Sequence, residues 1–242
     1  MSQKKIVQRL LLKLSGEMLA GAQKSGIDPN ASRNLALAIK GIRQSGIEVG
    51  LVIGGGNIFR GINLNGLGME RTPADHMGML GTLINGIALQ QSLLSVECPA
   101  KVMTALDCPK VAESYRWERA LELLQSGTVV IFVGGTGNPY FTTDTAAALR
   151  ASEIHADMLL KATKVDGIYS KDPLKYSDAV KYSHITYSQL LAEKLEVMDS
   201  TAVALCRSSK IPIFVFNMEL LGKQPIAEII RQEELGTIVK GE

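Results

Sequence analysis

The sequence is poor in the residues that most readily betray a chemistry. Its three cysteines, Cys98, Cys108 and Cys206, form no CxxC pair, so no disulfide framework is expected and a reducing, cytoplasmic compartment is the natural setting. Its three histidines, His76, His155 and His184, stand apart without ligand spacing, which argues against a zinc centre. Aromatic residues make up 5% of the chain, and no basic tract carries interleaved aromatics. A formal net charge of +2 over 242 residues is too small to argue for nucleic acid or a membrane surface. The apolar runs are strand-length, so no transmembrane helix is expected. Lys13 interrupts the first apolar run and no small-residue cleavage site follows it, so no signal peptide is expected either. There is no Gly-x-x-x-x-Gly-Lys-Ser/Thr loop, and no Ser-His-Asp or Cys-His arrangement to argue for a hydrolase. No Pro- or Ser-rich linker, repeat or low-complexity stretch divides the chain, which reads as one α/β unit over residues 1–242.

What is present is a set of strand ends. Leu51-Val52-Ile53 runs into Gly54-Gly55-Gly56, then Asn57-Ile58-Phe59-Arg60-Gly61. A strand end without side chains lets a ligand approach the backbone, and the N–H groups can cradle an anion beside an arginine fork. A tight turn would need only one such glycine. The third glycine of a dinucleotide fingerprint is missing, because the pattern reads Gly54-x-Gly56-x-x-Phe59.

Before this stretch, Arg9-Leu10-Leu11-Leu12-Lys13-Leu14 reads as a buried strand ending at Ser15-Gly16. A lysine there is either a snorkelling edge residue or a cation facing phosphate, and the carboxyl ends of open parallel sheets favour the second reading. Asp28-Pro29 predicts a helix start, with Leu35, Ile39 and Ile42 on one face and Ser45-Gly46 as the stop. Strand, helix and a strand from Ile47 to Ile53 make a parallel crossover unit. Residues 61–71 read as a mobile polar loop. Thr72-Pro73 predicts a long helix with Met77, Leu80, Ile84, Ile87 and Leu94 as its apolar face, and Met77 and Met79 as core. Asp75 in its first turn either offsets the helix dipole or takes sugar hydroxyls, and spacing alone does not separate the two.

Lys101 to Ala105 reads as a short strand, and a helix around Trp117, read as a packing residue, ends at Gly127. Thr128 to Val133 forms a strand feeding a second glycine-rich end, Gly134-Gly135-Thr136-Gly137-Asn138-Pro139. Tyr140-Phe141-Thr142-Thr143-Asp144 then leads into a helix, where hydroxyls and N–H groups at its start suit an anion. A strand from Asp157 to Leu160 ends at Lys161, another lysine at a strand end, and Asp166-Gly167 reads as a turn. Thr186 with Gln189 forms a capping box, Asp199 caps the helix from Ser200, and Ile213–Phe216 and Thr237–Val239 are further strands. In a parallel sheet, Lys13, Lys161 and the two glycine ends converge on one edge. Two cations and two backbone cradles fit phosphoryl transfer or nucleotide binding.

These segments resemble the bacterial uridylate kinases of the amino acid kinase family. The likeness rests on Leu11 to Glu17, Val52 to Gly61, Asp75 to Leu80, Gly135 to Asp144, Leu160 to Gly167, Val197 to Asp199 and Val215 to Met218, which together span nearly the whole chain. The resemblance implies a mainly parallel sheet between helix layers, with a UMP-side lobe over about 1–155 and an ATP-side lobe over 156–242. It implies transfer from ATP, with Mg²⁺, to UMP, giving ADP and UDP on the route towards UTP and CTP. Lys13, Leu14, Ser15, Gly16, Gly56 and Arg60 are implied at the ATP phosphates, and Thr163, Tyr169 and Asp172 around adenine and ribose. Gly55, Asp75, Thr136, Gly137, Asn138, Pro139, Tyr140, Phe141, Thr142 and Thr143 are implied at UMP, with Asp75 on the ribose. Lys13, Lys161, Asp144 and Asp199 are the candidates at the transferred group. The resemblance also implies a hexamer, activation by GTP and inhibition by UTP, with Gly21, Ala22, Gln23, Lys24, Ser25 and Gly26 in the loop linked to GTP. Gly134 stands where many relatives carry alanine.

Two rivals belong beside this reading. Another branch of the family phosphorylates small acids such as aspartate, glutamate or carbamate, which need no aromatic-containing base pocket. The same fold can also serve as a nucleotide-holding storage or regulatory subunit, against which stands the retention of both Lys13 and Lys161.

Overall fold

Strands form where leucine, valine and isoleucine run together, and helices form where such residues recur every three or four positions. The computed structural model describes residues 7–59, 68–195 and 197–242. The first half runs β1 (Arg9–Leu14), α1 (Glu17–Ala20), α2 (Pro29–Gln44), β2 (Glu48–Ile53), α3 (Arg71–Ser95) and β3 (Ala100–Thr104). It continues with β4 (Glu113–Ser114), α4 (Trp117–Gln125) and β5 (Val129–Val133). The second half runs α5 (Thr143–Glu153), β6 (Met158–Thr163), β7 (Ile168–Tyr169), β8 (Lys181–Tyr182), β9 (His184–Ile185) and α6 (Tyr187–Ala192). It ends with α7 (Ser200–Ser208), β10 (Ile213–Asn217), α8 (Ile226–Arg231) and β11 (Gly236–Val239).

One sheet carries nine strands in the order β4-β3-β5-β2-β1-β6-β10-β11-β9, and β7 and β8 form a separate ribbon. Among the described residues, the β10–β11 pair is the one antiparallel pair of the large sheet. Alternation along β1 sends Leu10, Leu12 and Leu14 to one face, where α1, α2, α3 and α8 pack. Leu11 points to the other face, against α4, α5, α6 and α7. The α/β architecture with helices on both faces of a mostly parallel sheet therefore matches the expected class. Asp28 accepts from the Ala31 N–H at 2.7 Å, and Pro29 opens α2 as expected.

Several local expectations are corrected. Most of the expected apolar face of α3 is its outer face: Met77, Leu80, Ile84 and Leu94 are exposed, while Ile87 packs against the core as expected, Met79 is buried as expected, and Leu83, Leu89 and Leu93 join the core under the sheet. Periodicity found a genuine stripe on a helix that carries apolar residues on both sides. Trp117 is 48% exposed and meets only His155 edge-on among aromatic rings of the described residues. Half of the capping box forms: Thr186 accepts from the Gln189 N–H, while the Gln189 side chain donates to Glu193. The expected loop at 61–71 lies largely outside the described residues, and Arg71 already begins α3. Among the described residues no helix is long and apolar enough to cross a membrane.

Candidate active site

Strand alternation decides the centre of the site. Lys13 shares a face with Leu11, and Lys161 shares a face with Leu159, so both point towards the helix layer that contains α5. The parallel register sets Lys13 directly beside Lys161 on neighbouring strands. Lys161 is not at a strand end, as the sequence suggested, but within β6, and is 8% exposed. Two ammonium groups this close require a counter-charge, and Asp144 from the first turn of α5 supplies it. Its Oδ1 lies 2.9 Å from Lys13 Nζ, and its Oδ2 accepts from Lys161 Nζ at 2.6 Å. Burial works to raise the Asp144 pKa, but the two ammoniums outweigh it and hold the carboxyl below its ordinary value. Burial pushes the Lys161 ammonium down, against the pull of Asp144. The three groups carry one net positive charge.

Asp199 spends its hydrogen bonds on helix starts. Its Oδ1 accepts from Thr145 Oγ1 and from the Ala202 N–H, both at 2.8 Å, and its Oδ2 accepts from Thr142 Oγ1. Thr142 in turn caps α5, accepting from the N–H groups of Asp144 and Thr145. Asp199 thus ties the start of α7 to the start of α5 and fixes where Asp144 stands. Thr145 was missed in the sequence because a threonine inside a helix carries no signal until its partner is known.

The triple glycine has a structural reason of its own. A Cβ on Gly55 would lie 2.7 Å from the Gly78 carbonyl oxygen and 3.0 Å from the Thr82 nitrogen, so glycine lets α3 cross against the strand end. The Gly54 N–H is already given to the Leu14 carbonyl. The Leu14 side chain is in the core, so only its backbone faces the loop. Behind the loop, Asn57 and Asn85 form a reciprocal buried amide pair, at 3.0 and 2.7 Å. Asn85 also donates to the Gly54 carbonyl at 2.7 Å, and Asn57 exchanges hydrogen bonds with both backbone groups of Gly26. A Cβ on Gly16 would strike this knot, 2.2 Å from Asn57 Oδ1 and 2.4 Å from the Gly54 oxygen. Ser15 accepts from the Glu17 N–H through its hydroxyl. The Gly21–Gly26 loop is therefore joined to the glycine end through Gly26 and Asn57. Arg60 lies outside the described residues.

A cleft of about 260 Å³ opens beside this end, near the lower limit of roughly 300 Å³ for small-molecule sites. Gly55, Gly56, Asp75, Asn138, Phe141, Thr142 and Thr143 line it, with Phe59, Met79 and Thr82 added. Thr136, Gly137, Pro139 and Tyr140 belong to its wall's loop but not to its lining. Asp75 is the fifth residue of α3, beyond the first turn where the dipole acts, and its Oδ2 accepts from the Tyr140 N–H at 2.7 Å. Thr82, inside the helix, accepts from the Gly134 N–H at 2.8 Å and so holds the left-handed turn that opens the second glycine-rich end.

Thr142 also borders a second cleft of about 710 Å³, lined by Asp144, Lys161, Lys194, Val197 and Asp199 among others. Lys194, Leu195 and Val197 then border a third, of about 410 Å³, containing Tyr169 and Asp172. Shared lining residues link the three clefts in series, with Asp144 and Lys161 in the wall of the middle one. Tyr169 donates to Asp166 at 2.6 Å. Asp172 caps its own turn by accepting from the Leu174 N–H. Thr163 donates to the Val165 carbonyl and is not in the lining of that third cleft. Among the described residues no group of three or more His, Cys, Asp or Glu is placed to hold a metal.

Residues 8–217 match the amino acid kinase family. The chain is similar to the uridylate kinase of Protochlamydia amoebophila (strain UWE25), with 65% identity over 232 residues, 96% of this chain and 92% of that protein. It is 50% identical over 232 residues to the uridylate kinase of Legionella pneumophila (strain Corby), covering 96% of this chain and 94% of the relative. The structure of UMP kinase from Bacillus anthracis superposes with a TM-score of 0.92 at 37% identity, covering 98% of this chain and 97% of that one. Sheet order, paired lysines and these likenesses over almost the full length agree: the chain belongs to the amino acid kinase family, among its uridylate kinases.

Proposed function

We propose that the chain transfers the terminal phosphoryl group of ATP to UMP, giving ADP and UDP. The observation that carries this reading is the Lys13–Asp144–Lys161 bridge, set at the edge of a cleft that joins two others. UMP takes the cleft of Asp75 and Phe141 in the lobe of residues 1–155. ATP takes the cleft of Tyr169 and Asp172 in the lobe of residues 156–242, with its phosphates over Ser15, Gly16, Gly56 and, from the resemblance, Arg60. A phosphate oxygen of UMP is already anionic at neutral pH, so no general base is required. The obstacle is repulsion between two anions. Lys13 and Lys161 relieve it, and Asp144 keeps the two ammoniums apart and aimed while charge passes to the leaving ADP. Asp199 and Thr142 act by holding Asp144. Magnesium enters as part of the substrate Mg·ATP: Asp144 is taken by two ammoniums and Asp199 by helix N–H and hydroxyl groups, so neither carboxylate forms a protein metal site.

Self-association belongs to the same proposal. The exposed stripe of Met77, Leu80, Ile84 and Leu94 suits burial against a second copy, within the hexamer the resemblance implies. GTP activation and UTP inhibition are also part of the proposal, and the Gly26–Asn57 hydrogen bonds offer a physical route from the Gly21–Gly26 loop to the phosphate end. The three free cysteines suit a reducing, cytoplasmic setting.

The test is ADP release from Mg·ATP with UMP, CMP, dTMP, aspartate, glutamate and carbamate in parallel, with and without GTP. Turnover confined to UMP is expected. Turnover only with an acid would move the chain to another branch, and ATP binding without turnover would leave a storage or regulatory protein.

A further inference from the structure

The wall of the acceptor cleft is held by a contact outside the cleft. Arg71, the first residue of α3, places its guanidinium 4.6 Å from the centre of the Tyr140 ring. Its Nη2 donates to the Tyr140 carbonyl at 3.4 Å, and its Nε lies 3.5 Å from Asp75 Oδ2. The same Oδ2 accepts from the Tyr140 N–H at 2.7 Å. Tyr140 is therefore gripped at its ring, its carbonyl and its N–H. It needs gripping: its φ is +72°, a conformation that a bulky side chain rarely adopts without outside support. On either side of it, Asn138 and Phe141 line the cleft, while Tyr140 itself does not.

We infer that Arg71 is a positioning residue for the acceptor nucleoside, acting through Tyr140 and Asp75. The two oxygens of Asp75 divide the work. Oδ2 is spent on the Tyr140 N–H and on Arg71, which anchors the carboxylate and the loop to each other. Oδ1 is left to the cleft, where it accepts from a ribose hydroxyl. This rests on the proposed acceptor site. Losing Arg71 lets the left-handed Tyr140 relax, shifts Asn138 and Phe141 together and rotates Asp75, so acceptor binding weakens while the lysine bridge stays in place.

The experiment uses the full chain with Arg71→Ala and Arg71→Lys, and reads two quantities. Hydrogen exchange of the Tyr140 amide without nucleotide reports the clamp itself. Steady-state turnover separates the UMP KM, the ATP KM and kcat. Arg71→Ala is expected to speed exchange at Tyr140 and raise the UMP KM about tenfold, the size of one exposed cation–π contact plus one hydrogen bond. The ATP KM and kcat are expected to stay within about twofold. Arg71→Lys, which keeps the charge but loses the planar stack, is expected to fall between. Unchanged exchange, or UMP and ATP KM values rising together, overturns the inference. A wild-type chain that turns over no UMP overturns the acceptor assignment beneath it, while the exchange arm still decides whether the clamp exists.

Discussion

The proposed acceptor and donor ends of the site are built differently. The acceptor end is locked by buried polar contacts: the Asn57–Asn85 amide pair at 1% and 0% exposure, Thr82 on the Gly134 N–H, and glycines that bring α3 against the sheet. The donor end hangs on the β7–β8 ribbon, which is two residue pairs long. Its ion pairs, Lys171–Asp178 and Lys175–Asp172, are largely exposed. Buried, satisfied networks fix one geometry, whereas exposed pairs contribute little and allow adjustment. Under the proposed assignment, discrimination between acceptors therefore resides in the rigid end, and the more loosely held end is the one that adjusts to ATP.

Between them stands the lysine bridge, and breaking it has the largest expected effect. Asp144→Asn keeps the shape but leaves two ammoniums without a counter-charge. We expect kcat to fall by at least about a hundredfold, on the scale of losing one preorganised electrostatic partner. Lys13→Ala is expected to do at least as much, and a kcat near wild type in either variant would reduce the bridge to a structural pair. The pH response has a definite sign. The folded-state pKa of Asp144 lies below the ordinary 3.8, so its stabilising contribution is complete above that value and is lost as pH falls through the folded-state pKa. Thermal melts of the wild type should therefore steepen below about pH 4, and Asp144→Asn should flatten that acid limb.

Much of this was legible in the sequence. Strand cores at Leu10–Leu12, Leu51–Ile53 and Val129–Val133 announce themselves by composition, and Lys13 was conspicuous because a lysine in such a run is costly. What alternation could not reveal was that Lys161 sits in register with Lys13, because register depends on the whole sheet. The two-sided helix α3 misled for a related reason: apolar residues recur on both faces, and only the sheet shows which one is covered. Asn57 and Asn85 were invisible as a pair, since two amides 28 residues apart acquire meaning only when the chain brings them together.

That amide pair sharpens the comparison at an intermediate scale. Asn85→Ala takes the donor from Asn57 Oδ1 and from the Gly54 carbonyl in a buried place, while the Asn57 amide keeps its bond to the Gly26 carbonyl. A cost of about 2–3 kcal/mol is expected, or a fall in Tm of roughly 5–10 °C for a chain of this length. Both KM values should rise, because the proposed assignment sets the acceptor at Gly55 and the ATP phosphates at Gly56, on the one strand end that Gly54 begins. A melt unchanged within about 1 °C would show that the pair is not holding the acceptor end.

The smallest effect is expected at the donor end. Asp166 accepts from Tyr169 at 2.6 Å and from Lys181 at 2.9 Å, and Lys181 also donates to the Glu234 carbonyl. Asp166 is thus the joint through which the Tyr169 ring is oriented, but it is half exposed, so screening limits its contribution. Asp166→Ala should cost at most about 1 kcal/mol. The ribbon keeps its second tie, because buried Thr237 accepts from the Ile168 N–H and donates to the Tyr182 carbonyl. We expect a twofold to fivefold rise in the ATP KM, no change in the UMP KM, and no change in kcat at saturating ATP. If UMP binding weakened equally, the two ends would be mechanically one, and rigidity at the acceptor end would no longer explain how acceptors are told apart.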